Sequence, residues 1–144
     1  MDKNTTALLP VLTPLYTALE PFGYATMRFA SGAIMATFGW RKLFGHGMAR
    51  DIELFHQLGL APAELLGYLT SGLEFYGGLL IAVGLLTRPI AAMLLGELLV
   101  ILVMVMIPRG NGYELTVVWV GVFLLILLHG GGRISVDRLI GYEF

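Results

Sequence analysis

The chain contains no cysteine. This absence excludes disulfides, thiolate metal sites, iron–sulfur clusters and covalently attached c-type haem from the chain itself. Charge is also scarce, since Asp, Glu, Lys and Arg make up 13% of the 144 residues, against about 25% in soluble domains. The formal net charge is −1, so no nucleic-acid partner is expected. If the protein takes part in redox chemistry, the electrons therefore reside on a diffusible carrier or on a partner protein.

The sequence is unusually rich in apolar residues. Hydrophobic residues make up 57% of the chain and its mean hydropathy is +0.81. A water-soluble chain of this length has too much surface to bury so much apolar side chain. Crossing a bilayer takes about 20 predominantly apolar residues in a helix, and four stretches qualify, at about 22–43, 63–86, 89–107 and 113–129. The sequence therefore predicts one all-α transmembrane domain over residues 1–144, an up-down four-helix bundle in an integral membrane protein.

The connections between the predicted spans differ in kind. Pro21 suits the start of the first span and Pro108 the end of the third. The turn at 87–88 is so tight that the second and third helices must be antiparallel neighbours. The longer link, 44–61, carries four apolar residues at helical spacing: Met48, Ile52, Phe55 and Leu58. This spacing predicts a short amphipathic helix between the first two spans, on the membrane surface or over the bundle.

Ionisable residues inside a span are costly and normally face the bundle interior or a cavity. The predicted spans contain four of them: Arg28, Glu74, Glu97 and Glu114. On three helices the ionisable group shares a face with small residues, which predicts that it points inward. These three faces are Arg28, Gly32, Met35, Gly39 and Lys42; Gly67, Ser71, Glu74, Gly78 and Ala82; and Glu114, Gly121, Leu125 and Leu128.

An arginine among three acids predicts an internal ion-pair network centred on Arg28 and Glu74. Such a network has two interpretations. Buried pairs can fix the register of helices without doing chemistry, or the polar groups can form a site for a ligand with carbonyl or hydroxyl groups, or a proton path. No two histidines lie inside the spans at similar depth, so neither haem held by this chain nor a metal site is expected.

Several motifs, taken in order, carry a family resemblance. The second span and the turn after it contain an E-x-x-G-G…G-L-x-T-R pattern, formed by Glu74, Gly77, Gly78, Gly84, Leu85, Thr87 and Arg88. It is preceded by GWRKLFG at 39–45 and FHQLGLAP at 55–62, and followed by GGGRISVD at 130–137. With Arg28 before them and Glu114 opening the fourth span, these segments resemble the DoxX family of small bacterial membrane proteins. One departure is the link at 108–112, which lacks the histidine or acidic residues that the family often carries there.

The resemblance implies a multi-pass protein of the bacterial inner membrane with both termini in the cytoplasm; the charges of the loops alone do not choose an orientation. Some members are similar to subunits of thiosulfate:quinone oxidoreductase, and others are tied to membrane oxidoreductase complexes that handle thiol or oxidative stress. We therefore expect a membrane subunit of a quinone-linked oxidoreductase system. Its partners would be the lipid bilayer and a peripheral or membrane redox subunit, and the glycine-rich helix faces are compatible with a homo-oligomer.

If the protein is catalytic, it would be a quinone-dependent oxidoreductase subunit with Glu74 and Arg28 as the catalytic pair. The carboxylate would exchange a proton with a quinol hydroxyl, and the arginine would stabilise developing negative charge. The residues expected to bind the cofactor, a quinone, are Glu97, Glu114, Lys42 and Arg88. The alternatives are a non-catalytic membrane assembly or scaffold protein for a partner enzyme, and a binder of lipid or another small apolar ligand.

Overall fold

The structure is a computed structural model that describes residues 12–110 and 112–141. Within these residues the chain is helical and forms no strand, which confirms the predicted all-α class. The described part contains six helices: α1 (Thr13–Leu43), α2 (Gly47–Gln57), α3 (Ala63–Val83), α4 (Thr87–Arg109), α5 (Tyr113–His129) and α6 (Val136–Ile140). The remainder of the predicted 1–144 domain, including Asn111 of the third-to-fourth link, lies outside the described residues.

Two prolines predicted to bound spans lie inside helices instead. Pro21 is internal to α1, whose first turn contains Pro14, the position at which a missing N–H costs nothing. Pro108 lies within α4 and follows a wider π-helical turn, Leu102–Met106. Proline cannot donate the backbone hydrogen bond of a regular α-helix, and a π-helical turn shifts the hydrogen-bond partners around it. Helix α4 therefore continues to Arg109.

Helices α1 and α3 pack backbone against backbone. A Cβ atom added at Gly78 would lie 2.5 Å from the Ala36 nitrogen and 2.7 Å from the Gly32 oxygen. Such close approach is available only to small residues. The predicted inward faces of these two helices are confirmed, since their members are buried except for the half-buried Lys42.

The predicted inward face of α5 is wrong. Its four members, Glu114, Gly121, Leu125 and Leu128, are exposed. The buried residues of this helix are Thr116, Phe123 and Ile126, and the last two are 0% exposed. Helices α4 and α5 do not pack backbone against backbone as α1 and α3 do. Large side chains fill the space between them instead.

Helices α3 and α4 are long and apolar enough to cross a membrane, at 21 and 23 residues, and α5 is a shorter apolar helix. Only 39% and 22% of the apolar windows of α3 and α4 are buried inside the fold. A core helix of a soluble protein would bury most of such a window. Apolar helices that leave so much of themselves uncovered are typical of a membrane protein, in which lipid covers the rest.

Candidate functional site

Three ionisable side chains are in contact near the end of α1, and a fourth lies within range of their charges. The four are Lys42 in the last turn of α1, Asp51 of α2, Glu74 of α3 and Glu97 of α4, and we call them the Lys42 cluster. The Nζ atom of Lys42 lies 2.7 Å from Glu74 Oε1 and 2.9 Å from Asp51 Oδ2. The Glu74 side chain is 8% exposed, and those of Lys42 and Asp51 are 22% and 21% exposed. One lysine therefore links two carboxylates from two different helices.

Three carboxylate oxygens of this cluster have no hydrogen-bond partner in the described part of the chain. They are Glu74 Oε2 and both oxygens of Glu97, and all three are buried. Glu97 lies within range of the charges of Glu74, Lys42 and Asp51. Buried polar atoms are normally bonded, and leaving one unbonded is costly. The Lys42 cluster therefore contains acceptor positions that the fold itself does not use.

The backbone at Glu74 is also unusual. It lies in a π-helical turn, Leu73–Gly77, that interrupts α3, and such turns are frequent at functional sites.

Three aromatic rings lie at the same end of the bundle, with Trp40 at centroid distances of 4.3 Å from Phe44 and 5.6 Å from Phe75. A groove of about 510 Å³, lined in part by Trp40, Phe44 and Arg50, lies beside them.

A second polar cluster lies around Arg28, midway along α1 and level with the end of α3, at the opposite end of the bundle from Lys42. Its Nη1 donates a hydrogen bond to the Ile81 carbonyl at 2.9 Å, and its Nη2 donates to the Ile134 carbonyl at 2.8 Å. Arg28 is 3% exposed. It therefore ties α1 to the end of α3 and to the segment that follows α5.

The predicted pairing of Arg28 with Glu74 is consequently wrong. Glu74 pairs with Lys42, and fourteen residues separate Arg28 from Lys42 along α1. At 1.5 Å per residue this is about 21 Å. Both residues point inward, as the small-residue faces predict, but they do so at opposite depths of the bundle.

Asp137 organises the turn between α3 and α4. Its carboxylate accepts hydrogen bonds from the Leu86 N–H at 2.8 Å and from the Thr87 N–H and hydroxyl at 3.0 and 2.7 Å. Leu86 has a left-handed conformation, with φ +50°, which is strained for leucine. Gly84 has φ +76°, and a Cβ atom there would collide with the guanidinium of Arg28. The S-x-D motif therefore binds the G-L-x-T-R motif and stabilises the turn between α3 and α4.

Of the predicted site residues, the structure brings together Lys42, Glu74 and Glu97. Arg88 lies at the Arg28 end, where its Nε atom would be 3.1 Å from a Cβ atom on Gly130. Glu114 is exposed at the start of α5 and has no ion-pair partner within residues 12–110 and 112–141.

Asp51 was not predicted as a member of the site. Its only signal in the sequence was its position on the charged face of the amphipathic link, where it resembles an ordinary solvated residue. Tyr24 was not predicted either, and its hydroxyl donates to the Gly130 carbonyl at 2.6 Å. Among the described residues, no group of three or more His, Asp or Glu side chains is placed to hold a metal ion.

A family model described as DoxX matches residues 23–107. The match confirms the resemblance carried by the sequence motifs. It includes the whole Lys42 cluster and Arg28, but not Asp137. Neither the curated proteins nor the solved structures that were compared contain a match to the chain.

Proposed function

Because the chain belongs to the DoxX family, we propose that it is a membrane subunit of a quinone-linked oxidoreductase system. In this proposal α1, α3, α4 and α5 cross the bacterial inner membrane as a four-helix bundle with both termini in the cytoplasm. The head group of the quinone binds at the Lys42 cluster, in place of the site first expected between Arg28 and Glu74. The observation that carries the proposal is the set of three buried, unpartnered carboxylate oxygens on Glu74 and Glu97.

The residues of the Lys42 cluster fit the chemistry of a quinone. A quinone supplies two carbonyl oxygens, which become hydroxyls when it takes up two electrons and two protons. The ammonium group of Lys42 is a donor for a carbonyl oxygen, and the free oxygens of Glu74 and Glu97 are acceptors for a hydroxyl. The rings of Trp40 and Phe75 suit contact with a flat, largely apolar head group.

Each member of the cluster then has a distinct role. Glu97 and Glu74 hold and transfer protons at their free oxygens, since a positioned carboxyl group is a general acid–base. Lys42 binds the head group and balances the carboxylate charge. Asp51 positions the lysine from α2 through their 2.9 Å ion pair. Electrons come from a partner subunit, because a chain without cysteine cannot hold an iron–sulfur cluster or a redox-active disulfide.

A binding titration with a short-chain ubiquinone tests the proposal, with the quenching of Trp40 fluorescence as the readout in a Trp119→Phe background. We expect Glu97→Gln to weaken binding about tenfold, because the loss of a hydrogen bond at a buried polar group costs about 1–3 kcal/mol. The matched control is Glu114→Gln, an exposed glutamate on α5, which should bind like the wild type.

Mass spectrometry of the protein extracted in native lipid provides the second measurement. Co-purified quinone that is lost in Glu97→Gln and Glu74→Gln would support the proposal. Equal quinone retention in all variants would refute the site. A protein that retains no quinone but associates stably with one enzyme would instead be the scaffold of the alternative interpretation.

A further inference from the structure

A groove of about 730 Å³ opens at the Arg28 end of the fold, away from the Lys42 cluster. It lies between α1, the end of α3 and the segment that leads into α6. Its lining combines arginines with apolar side chains, principally Arg28, Arg133, Arg138, Phe29, Val83 and Leu139. None of the lining residues is acidic among the residues that the structure describes.

The three arginines of this groove form no ion pair with a carboxylate of the described residues. Arg28 is 3% exposed, its two terminal nitrogens bond to neutral carbonyls, and its Nε atom has no partner. The nearby carboxylate of Asp137 is occupied by the turn at Leu86 and Thr87. Over the described ranges, no carboxylate lies within ion-pair distance of any arginine in the groove. A buried cation of this kind favours an anionic ligand.

The apolar part of the groove indicates what else the ligand carries. Phe29 is 59% exposed, Val83 is 50% exposed and Leu139 is 86% exposed. Phe29 and Val83 belong to helices that cross the bilayer in our proposal, whereas Arg133 and Arg138 lie beyond the end of α5. Charge at the end of the bundle and apolar surface along its helices match a ligand with an anionic head and hydrocarbon chains.

We propose that this groove binds an anionic phospholipid. The phosphate contacts Arg133 and Arg138, with Arg28 behind them, and the acyl chains lie along Phe29 and Val83. Basic pockets between transmembrane helices recognise lipid head groups in this way. The site is independent of the quinone proposal, because Arg28 lies about 21 Å along α1 from Lys42 and the groove uses none of the residues of the Lys42 cluster.

Competition between two lipids tests the assignment. The purified, delipidated protein is incubated with an equal mixture of phosphatidylglycerol and phosphatidylcholine, and native mass spectrometry counts the lipids retained. We expect the wild type to prefer phosphatidylglycerol. The variant Arg133→Gln/Arg138→Gln should reduce that preference about twenty-five-fold, since each arginine near an anionic lipid contributes about a factor of five.

Two further variants separate the site from general electrostatics and from misfolding. Arg109→Gln, which removes an exposed arginine at the other end of the fold, should keep the full preference. Ala25→Trp keeps the charge but fills the groove, so it should reduce retention of both lipids. Thermal unfolding of each variant checks that it is folded.

Equal retention of the two lipids by the wild type would overturn the proposal. So would an unchanged preference in the double arginine variant. Displacement of phosphatidylglycerol by water-soluble glycerol phosphate would show that the groove recognises a free phosphate and that the acyl chains contribute nothing, which also contradicts it.

Discussion

Lys42 is the residue on which the ionisable cluster depends. Its ammonium group is the only cation that the described structure places against Asp51 and Glu74. Glu74 is 8% exposed, so water cannot replace the lysine at that carboxylate. Removing one partner of a buried ion pair leaves an uncompensated charge, whereas removing both can be nearly neutral.

We therefore predict that Lys42→Met destabilises the protein by about 3 kcal/mol. The double variant Lys42→Met/Glu74→Gln should recover part of this loss, because it removes the buried charge that the lysine balanced. The free energy of unfolding in mixed detergent micelles measures both variants.

The exposed pair of His56 and Glu64 is the matched control for this experiment. Its atoms are 3.5 Å apart and its side chains are 56% and 64% exposed. Surface pairs contribute less than about 1 kcal/mol, so Glu64→Gln should change stability little. A Lys42→Met variant as stable as Glu64→Gln would contradict a buried, energetically coupled cluster.

At the scale of helices, the contact between α1 and α3 sets the positions of both polar clusters. Lys42 and Arg28 project from one face of α1 toward residues of α3 and its flanking turn. That face can approach α3 only because Gly32 and Gly78 carry no side chain. A separation of the two helices would lengthen the 2.7 Å contact of Lys42 with Glu74.

Gly78→Ala should therefore destabilise the fold by about 1–3 kcal/mol, the usual cost of overpacking. The added methyl group would meet backbone atoms of Ala36 and Gly32, which cannot turn aside as a side chain can. Unfolding in micelles measures the change in stability, and quinone binding should weaken as the cluster is displaced.

Gly72→Ala is the control within the same helix. No atom lies within 4 Å of a Cβ atom at that position. Replacing glycine by alanine in an open helical position stabilises by about 0.4–1 kcal/mol. If the two alanine variants had the same stability, the close packing of α1 on α3 would be refuted.

For the whole molecule, the arrangement of the long helices places the two polar clusters at opposite ends of the bundle. The Arg28 end contains the α3–α4 turn and the segment after α5, and the Lys42 end contains α2 and the α4–α5 link. If α1, α3, α4 and α5 all cross the membrane, each cluster lies toward a different side. The quinone and phospholipid sites would then serve different leaflets.

Cysteine labelling tests this topology directly, because the chain has no cysteine of its own. We predict that Gln57→Cys and Arg109→Cys react with a membrane-impermeant maleimide in intact spheroplasts. Glu20→Cys and Leu139→Cys should react only after the membrane is opened. All four positions are exposed in the fold. A cysteine that fails to react is therefore shielded by the membrane and not by burial inside the protein.

The opposite labelling pattern would reverse the proposed orientation while keeping the number of crossings. Three spans separate Gln57 from Leu139 in the proposed four-span bundle. Labelling of Gln57→Cys and Leu139→Cys from the same side would contradict this odd number of crossings and therefore the four-span bundle.

Much of the fold follows from the sequence because helices depend on local patterns. The fourth span was predicted at 113–129 and α5 has these bounds, and the amphipathic link does form the helix α2. The inward faces of α1 and α3 also followed, since a buried stripe is a matter of residue spacing along one helix. The start of α1 and the end of α4 did not follow, because prolines proved compatible with the helix interior.

The sequence by itself determined that the chain is helical, rich in apolar surface and equipped with ionisable groups on small-residue faces. Only the tertiary structure decided which of those groups meet. Spacing along a helix shows the direction in which a side chain points, but a partner is set by the depth and rotation of another helix. Lys42 therefore lies with Glu74 and Asp51, while Arg28 bonds to backbone carbonyls at the other end of the bundle.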